Sequence, residues 1–252
     1  MLTGCPPDPF AVDGQLWGHP HYRWAAHRKD HFSWWTERVK VTLDRFDLVR
    51  IDHFIGFVRA YEVPGSAKNA RNGKWGRTPG RELLTQLAKE LGHLPFIAED
   101  LGDVTPAVYE LRDEFDLPGM QILQWAFFDA EGGSNDLPHH HQKHCVVYPG
   151  THDNDTIEGW HQGLDRPTKK NLQTYFGEGN QLSSSEMLIQ MALHSPANTA
   201  VIQMQDFLSH GRRSRMNVPG RAQGNWLWRL KPDELKMSHA KRLHAHIKMS
   251  GR

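Results

Sequence analysis

Cysteine is nearly absent: Cys5 and Cys145 are the only two in 252 residues, too few for a disulfide framework. No apolar run approaches the ~20 residues that a membrane helix needs, so a membrane partner is not expected. Neither sign of charge is in excess, with Lys+Arg 30 against Asp+Glu 29. Without clustered Lys and Arg there is no basic footprint for a phosphate backbone, and nucleic acid is not an expected partner. The N-terminus does not read as a charged, then apolar, then small-residue signal, so a reducing cytoplasm with both thiols free is the expectation. Repeats of fixed period, low-complexity tracts and a linker that would split a second core are also lacking, which reads as one domain over 1–252.

What is abundant is aromatic and imidazole side chains: 9 Trp, 5 Tyr, 11 Phe and 17 His. Aromatic rings with a polar edge suit cores and equally suit stacking on sugar faces. Along the chain, strand and helix signals alternate. Asp30 can cap a helix whose apolar positions Phe32, Trp35, Val39, Leu43 and Phe46 recur at spacings of three and four. It runs into a short β-like stretch over 47–52. Thr78-Pro79 opens a second helix, with Leu83, Leu84, Leu87, Ala88 and Leu91 on one side and Gly92 as the stop. A strand over 94–98 follows, and Thr105-Pro106 opens a third helix through Leu111 and Phe115. Further strands are predicted over 120–127, 145–148 and 199–204. Segments 61–78 and 128–144 read as long loops, rich in Gly, Asn, His and charge. This rhythm predicts a parallel α/β sheet, open or closed, of five strands. The carboxyl ends of such strands share one face, where sites are built.

Three of those strand ends carry acids: Arg50-Ile51-Asp52-His53, Ala98-Glu99-Asp100, and Thr151-His152-Asp153-Asn154-Asp155. Asp52 and Glu99 lie 47 residues apart and Glu99 and Asp153 lie 54 apart, room enough for intervening strands, helices and loops. Convergence at one mouth is geometrically open to them. Glycoside chemistry passes through an oxocarbenium-like state and needs one carboxylate to attack and one carboxylic acid to protonate the leaving oxygen. Further negative charge nearby suits the same state. Taken alone, Asp52 can equally be a turn cap. Arg50, two residues earlier, shares its side of the strand, and a guanidinium beside a carboxylate favours and orients the ionised form.

Asp155 followed by Glu158 resembles a helix capping box and reads as structural, whereas Asp153 has no such explanation. The histidines between His139 and His152 stand beside Cys145, but structural zinc commonly uses paired cysteines; these histidines read as polar surface and no metal is expected. Trp17, in Gln15-Leu16-Trp17-Gly18-His19-Pro20, is either a core anchor or a ring presented to a ligand from an irregular loop.

Phe46-Asp47-Leu48-Val49-Arg50-Ile51-Asp52-His53-Phe54, Ala98-Glu99-Asp100-Leu101-Gly102 and Gly150-Thr151-His152-Asp153-Asn154-Asp155-Thr156 together resemble the 4-alpha-glucanotransferases of glycoside hydrolase family 77. Gly14-Gln15-Leu16-Trp17-Gly18 and Arg215-Met216-Asn217 through Gly224-Asn225-Trp226 extend the resemblance across essentially the whole chain, in the family's order. It implies a (β/α)8 TIM-barrel type of fold and a retaining double displacement on α-1,4-glucan, with glucose or a maltooligosaccharide as acceptor. Asp52 would match the nucleophile, Glu99 the general acid and base, and Asp153 the third carboxylate. Arg50, His152, Trp17, His53 and Asn217 would be substrate-binding. No cofactor is implied. The covalent route implies carboxyl groups of Asp52 and Glu99 about 5–5.5 Å apart.

The chain departs from the family pattern at His19, Ile55 and His140, which bears on substrate contacts rather than on the carboxylates. The family's enzymes are twice as long, so this chain would be the C-terminal portion of the barrel, about its last five strands, lacking an N-terminal segment. Five strands do not close a cylinder of about eight. The isolated chain is accordingly expected to be inactive or weakly active. Two other readings are a non-catalytic maltodextrin-binding remnant and an α-amylase-like hydrolase that passes the sugar to water.

Overall fold

A computed structural model describes residues 1–7, 11–177 and 179–252, which divide into two units, Met1–Met120 and Gln121–Arg252. The first runs β1 (Leu2–Cys5), β2 (Gln15–Pro20), α1 (Trp24–Lys29), α2 (Ser33–Leu43), β3 (Val49–Ile51), β4 (Arg59–Val63), β5 (Lys74–Arg77), α3 (Gly80–Leu91), β6 (Phe96–Ala98), α4 (Pro106–Glu114) and the start of β7 (Gly119–Ile122). The second continues with β8 (Cys145–Tyr148), α5 (Ile157–Gly163), α6 (Arg166–Phe176), α7 (Ser184–His194), β9 (Thr199–Ala200), α8 (Met204–Phe207) and α9 (Met237–Ser250). Among the described residues no helix is long and apolar enough to cross a membrane.

In the first unit β3 and β6 pair in parallel, with Val49 opposite Phe96, Arg50 opposite Ile97 and Ile51 opposite Ala98. Side chains alternate across a strand. Val49, Ile51, Phe96 and Ala98 therefore share one face, and they join a core with Leu83, Leu84 and Leu87 of α3 and Val108 and Leu111 of α4. The opposite face is left for Leu48, Arg50 and Ile97. Helix α3 keeps its predicted apolar side and stops at Gly92, whose φ of 78° suits glycine. Its first residue has to be glycine: a Cβ on Gly80 would stand 2.0 Å from the carbonyl oxygen of Phe57. In α4 Thr105 takes extended cap geometry and Pro106 the first turn, as predicted.

The helix expected from Asp30 is shorter. Asp30 closes α1 instead, and His31 and Phe32, at φ 53° and 56°, turn the chain before α2 begins. Trp35, Val39 and Leu43 face the core as predicted. Phe46, beyond the helix, is 61% exposed.

Segment 61–78, expected to be a loop, holds the end of β4 and all of β5. With β1 and β2 these form a four-stranded antiparallel sheet in the order β2-β1-β4-β5. The overlooked signal is the alternation in Arg59-Ala60-Tyr61-Glu62-Val63, which buries Tyr61 and Val63 over Ala70 and leaves its polar positions less buried. Trp17 accordingly lies on a strand, β2, and not in an irregular loop.

In the second unit the sheet order is β7-β8-β9, with β8 and β9 parallel. The strand expected over 120–127 ends at Ile122 and becomes a 3-10 turn, Leu123–Trp125. That over 199–204 ends at Ala200, before α8. Helix α7 packs Leu188, Ala192 and Leu193 against Val147, Ile157 and Phe207. A reciprocal Ser183–Glu186 capping box opens it. Leu243 and Ile247 of α9 lean on the same core, and Arg252 donates to the carbonyls of Leu193 in the last turn of α7 and of Ser195 and Ala197 just past it. The histidine loop is tied to protein groups: His139 Nδ1 lies 2.9 Å from the Tyr175 hydroxyl, and buried His141 bonds Ser195 Oγ and the Asp136 carbonyl.

Candidate active site

The β3–β6 register decides how two of the three predicted acids stand. The ladder ends at Ile51 opposite Ala98, and Asp52 and Glu99 are the next residue on each, so the acids leave the ends of adjacent parallel strands in succession. The backbone fastens this end: Glu99 N–H donates to the Ile51 carbonyl and Phe54 N–H to the Glu99 carbonyl, each at 3.0 Å. Arg50 Nη1 donates to Asp52 Oδ1 at 2.7 Å, the pairing the alternation predicts. The Asp52 side chain is 79% exposed against 26% for Arg50. One carboxylate is thus open to a ligand while its guanidinium partner is set back.

Glu99 has the opposite environment. Burial pushes its carboxyl up to about 8. The Arg50 cation and the N–H of His53 pull in the other direction, and Asp52 and Asp100 add to the rise. That N–H reaches Glu99 Oε2 because His53 adopts φ 49°, ψ 57°, a left-handed turn directly after the strand. Burial also lowers the His53 imidazole, opposed by Asp52, and the ring meets Trp17 edge to face at 4.8 Å. Trp17 is half-buried and donates from Nε1 to Gln15 Oε1. Arg50, Asp52, His53, Trp17 and Glu99 are thereby linked by direct contacts or register within the first unit.

Asp100, next to Glu99, faces the other way. It is buried, accepts from Arg112 Nη1 at 2.6 Å and from Met120 N–H at 2.9 Å, and serves structure.

In the second unit Asp153 is held by Asn217, whose Nδ2 donates to Oδ1, and by His152, whose Nε2 is 3.3 Å from Oδ2. The Asn217 N–H donates to the His152 carbonyl. His152, Asp153 and Asn217 are therefore one cluster, with Trp226 tilted against the His152 ring at 5.3 Å. Sequence reasoning left out Arg215, which forks between the carbonyls of Asp153 and Asn217 at 2.6 and 2.8 Å. Its position two residues before Asn217 was the available signal.

Asp155 serves structure but by a different route from the capping box expected. Thr156 caps α5 by accepting from Gly159 N–H, Glu158 turns to Ser184 and Ser185, and Asp155 pairs with Arg212 at 2.6 Å. Gln124 Nε2 donates to the Asp155 carbonyl. Asp206 had no sequence signal at all. It is almost fully buried, accepts from Ile157 N–H at the start of α5, and burial, reinforced by Asp155 and Glu158, pushes it up to about 7.

A family model described as 4-alpha-glucanotransferase, glycoside hydrolase 77, matches residues 1–236. The 4-alpha-glucanotransferase of Aquifex aeolicus is 45% identical over 92% of this chain and 48% of its own length. That of Thermus thermophilus is 43% identical over 97% of this chain and 50% of its own. The amylomaltase of Streptococcus agalactiae, solved in complex with acarbose, superposes with a TM-score of 0.97 at 35% identity, covering 100% of this chain and 51% of that one. The chain spans about half the length of the curated relatives it matches. Over that half, it belongs to the 4-alpha-glucanotransferases of glycoside hydrolase family 77.

Proposed function

We propose that this chain supplies the carboxylates of a 4-alpha-glucanotransferase that moves a segment of α-1,4-glucan onto the 4-hydroxyl of glucose or another glucan. The reading rests on Asp52 and Glu99 following one another across β3 and β6 with opposite environments, one exposed and ion-paired, the other buried and pushed up to about 8. A retaining enzyme needs that division of labour. An oxygen of Asp52 attacks the anomeric carbon while Glu99 gives its proton to the departing glycosidic oxygen, leaving a glycosyl ester on Asp52. Glu99, now ionised, takes the proton of the acceptor hydroxyl as that oxygen displaces Asp52, and the starting state returns.

Asp153 carries over from the family as the third carboxylate, with His152 and Asn217 as its sugar-binding neighbours. Trp17 and His53 flank the first pair. The fold reading is an incomplete (β/α)8 barrel, with β3, β6, β7, β8 and β9 as its last five strands. Acarbose in the Streptococcus agalactiae amylomaltase supports an α-glucan as substrate.

The test is incubation with maltotriose, for the chain alone and for a chimaera carrying the half of the Thermus thermophilus relative that this chain does not match. The chimaera is expected to yield glucose together with maltodextrins longer than three units, and Asp52→Asn to abolish both. The chain alone is expected to yield little or none. Reducing ends rising in step with cleavage, without longer products, would show hydrolysis instead.

A further inference from the structure

Among the described residues other than glycine, two large apolar side chains stand on a positive φ, Phe32 and Trp226. A bulky residue in the left-handed region is strained, and the conformation persists only where the surroundings or a function require it. For Phe32 burial offsets the strain, since it is 4% exposed in the core of the first unit. Trp226, at φ 61°, is 52% exposed and has no such compensation. The loop around it enforces the conformation. Asn225 accepts from Val218 N–H and donates to the carbonyls of Val218 and Arg221, which folds 218–225 back on itself. Trp226 N–H then donates to the Met216 carbonyl at 2.7 Å, and Arg229 Nη1 donates to the Trp226 carbonyl at 2.9 Å. Farther out, His210 Nε2 lies 2.8 Å from Glu234 Oε1 and closes the neck of the segment. These ties set Trp226 beside Asn217, which grips Asp153. The indole rests at 37° on the ring of His152, the other neighbour of Asp153. Imidazole covers one side of it, and the rest is left open next to a carboxylate.

We infer that Trp226 is a sugar-stacking platform, whose open face takes a glucose unit of the α-1,4-glucan next to the unit that Asp153 holds. The ligand follows from the chemistry of the cluster. A pyranose shows C–H groups on its faces and hydroxyls around its edge. The indole matches the face, while Asp153, Asn217 and His152 match the hydroxyls. A wholly apolar ligand would strip water from Asp153 and give nothing in return. A ring fixed before the sugar arrives also avoids the ordering cost of binding, which gives the strained backbone its use. The inference rests on the proposed function and deepens it by adding a substrate contact that the three acids do not make.

The experiment has two arms, each comparing the parent with Trp226→Gly and Trp226→Phe. In the first, urea unfolding of the 252-residue chain is followed. Glycine accepts φ 61° without strain, so Trp226→Gly should unfold at a urea midpoint no lower than the parent's. A clearly lower midpoint would make the ring a structural anchor and overturn the inference. In the second, maltoheptaose is titrated by calorimetry into the chimaera, carrying Asp52→Asn so that nothing turns over. Trp226→Gly is expected to weaken binding about tenfold, and Trp226→Phe, which keeps a ring face, to stay within about threefold of the parent. Unchanged affinity in Trp226→Gly, or Trp226→Phe as weak as Trp226→Gly, would overturn the inference. So would a Trp226→Gly chimaera that no longer assembles, because the ring would then be covered by protein. Product formation from maltotriose is scored separately, with Asp52 intact. A chimaera that binds through Trp226 but makes no longer maltodextrins keeps the platform and sinks the glucanotransferase reading. An active chimaera whose KM ignores Trp226→Gly does the reverse.

Discussion

The backbone N–H of His53 donates to Oε2 of Glu99 across 46 residues of chain. One hydrogen bond thus joins the turn after β3 to the acid after β6. The turn places Asp52 and, in the next peptide unit, grips the neighbouring carboxyl, so the positions of both acids depend on the same left-handed residue. The bond favours the ionised form of Glu99, yet burial outweighs it and the group stays protonated at neutral pH.

Stability should fall as pH rises because of Glu99. Folded Glu99 keeps its proton to about pH 8, well above its ordinary 4.5, so the folded state binds more protons between those values and the unfolded state gains ground through that window. Glu99→Gln has no such slope. In urea titrations the two proteins should match near pH 4.5, and the variant should lead by on the order of a few kcal/mol at pH 9. Curves that stay parallel over this range would mean that Glu99 titrates as an ordinary carboxyl.

Asp206 makes a second, separable contribution of the same sign, since its carboxyl is raised from 3.8 to about 7. Asp206→Asn keeps an acceptor for Ile157 N–H and loses the charge, so its advantage over the parent should grow from about pH 4 to pH 7. Asp206→Ala strands that N–H and should cost about 1–3 kcal/mol at pH 5. Equal behaviour of the two variants would contradict the capping role.

The Asp100–Arg112 pair is buried, with side chains 3% and 10% exposed. Asp100→Ala leaves Arg112 to Asp113 and strips the Met120 N–H of its acceptor, and should cost about 1–3 kcal/mol in chemical denaturation. Replacing both with Leu and Met should cost less than the single change. Gly119→Ala should resemble the single variant, because its Cβ would fall 2.4 Å from Asp100 Oδ2.

Arg215→Ala should loosen the second cluster without touching Asp153's carboxylate, because the guanidinium holds carbonyls of Asp153 and Asn217. Faster amide exchange over 151–155 and 215–217 is the expected readout, with KM for maltotriose in the chimaera raised more than kcat is lowered. Arg215→Lys should not restore either value, since an ammonium cannot span both carbonyls as the planar fork does.

Much of the site was legible in one dimension. The spacing of Arg50 and Asp52 announced their ion pair because alternation along a strand is a local rule. The helices α3 and α4 announced themselves by periodicity, and α4 also by its Thr-Pro opening; in α3 the expected order slips by one, with Pro79 as the cap and Gly80 as the first helical residue. The hairpin β4–β5 did not, since glycine, asparagine and charge in its neighbourhood outweighed a short alternation. The capping box at Asp155 failed for a related reason: Thr156 and Arg212 compete for the same groups, and Arg212 arrives from 57 residues away.

By itself the sequence determined where α3, α4, β3, β6 and β8 lie, where Arg50 sits relative to Asp52, and which family the motifs belong to. These depend on neighbours within a turn or two of chain. Only the tertiary structure decided that Asp52 and Glu99 are successive across β3 and β6, that Glu99 is buried enough to hold its proton, and that, among the described residues, β3 pairs on one side only. Register, desolvation and edge pairing are set by groups brought from distant parts of the polypeptide, and no local pattern encodes who those groups are.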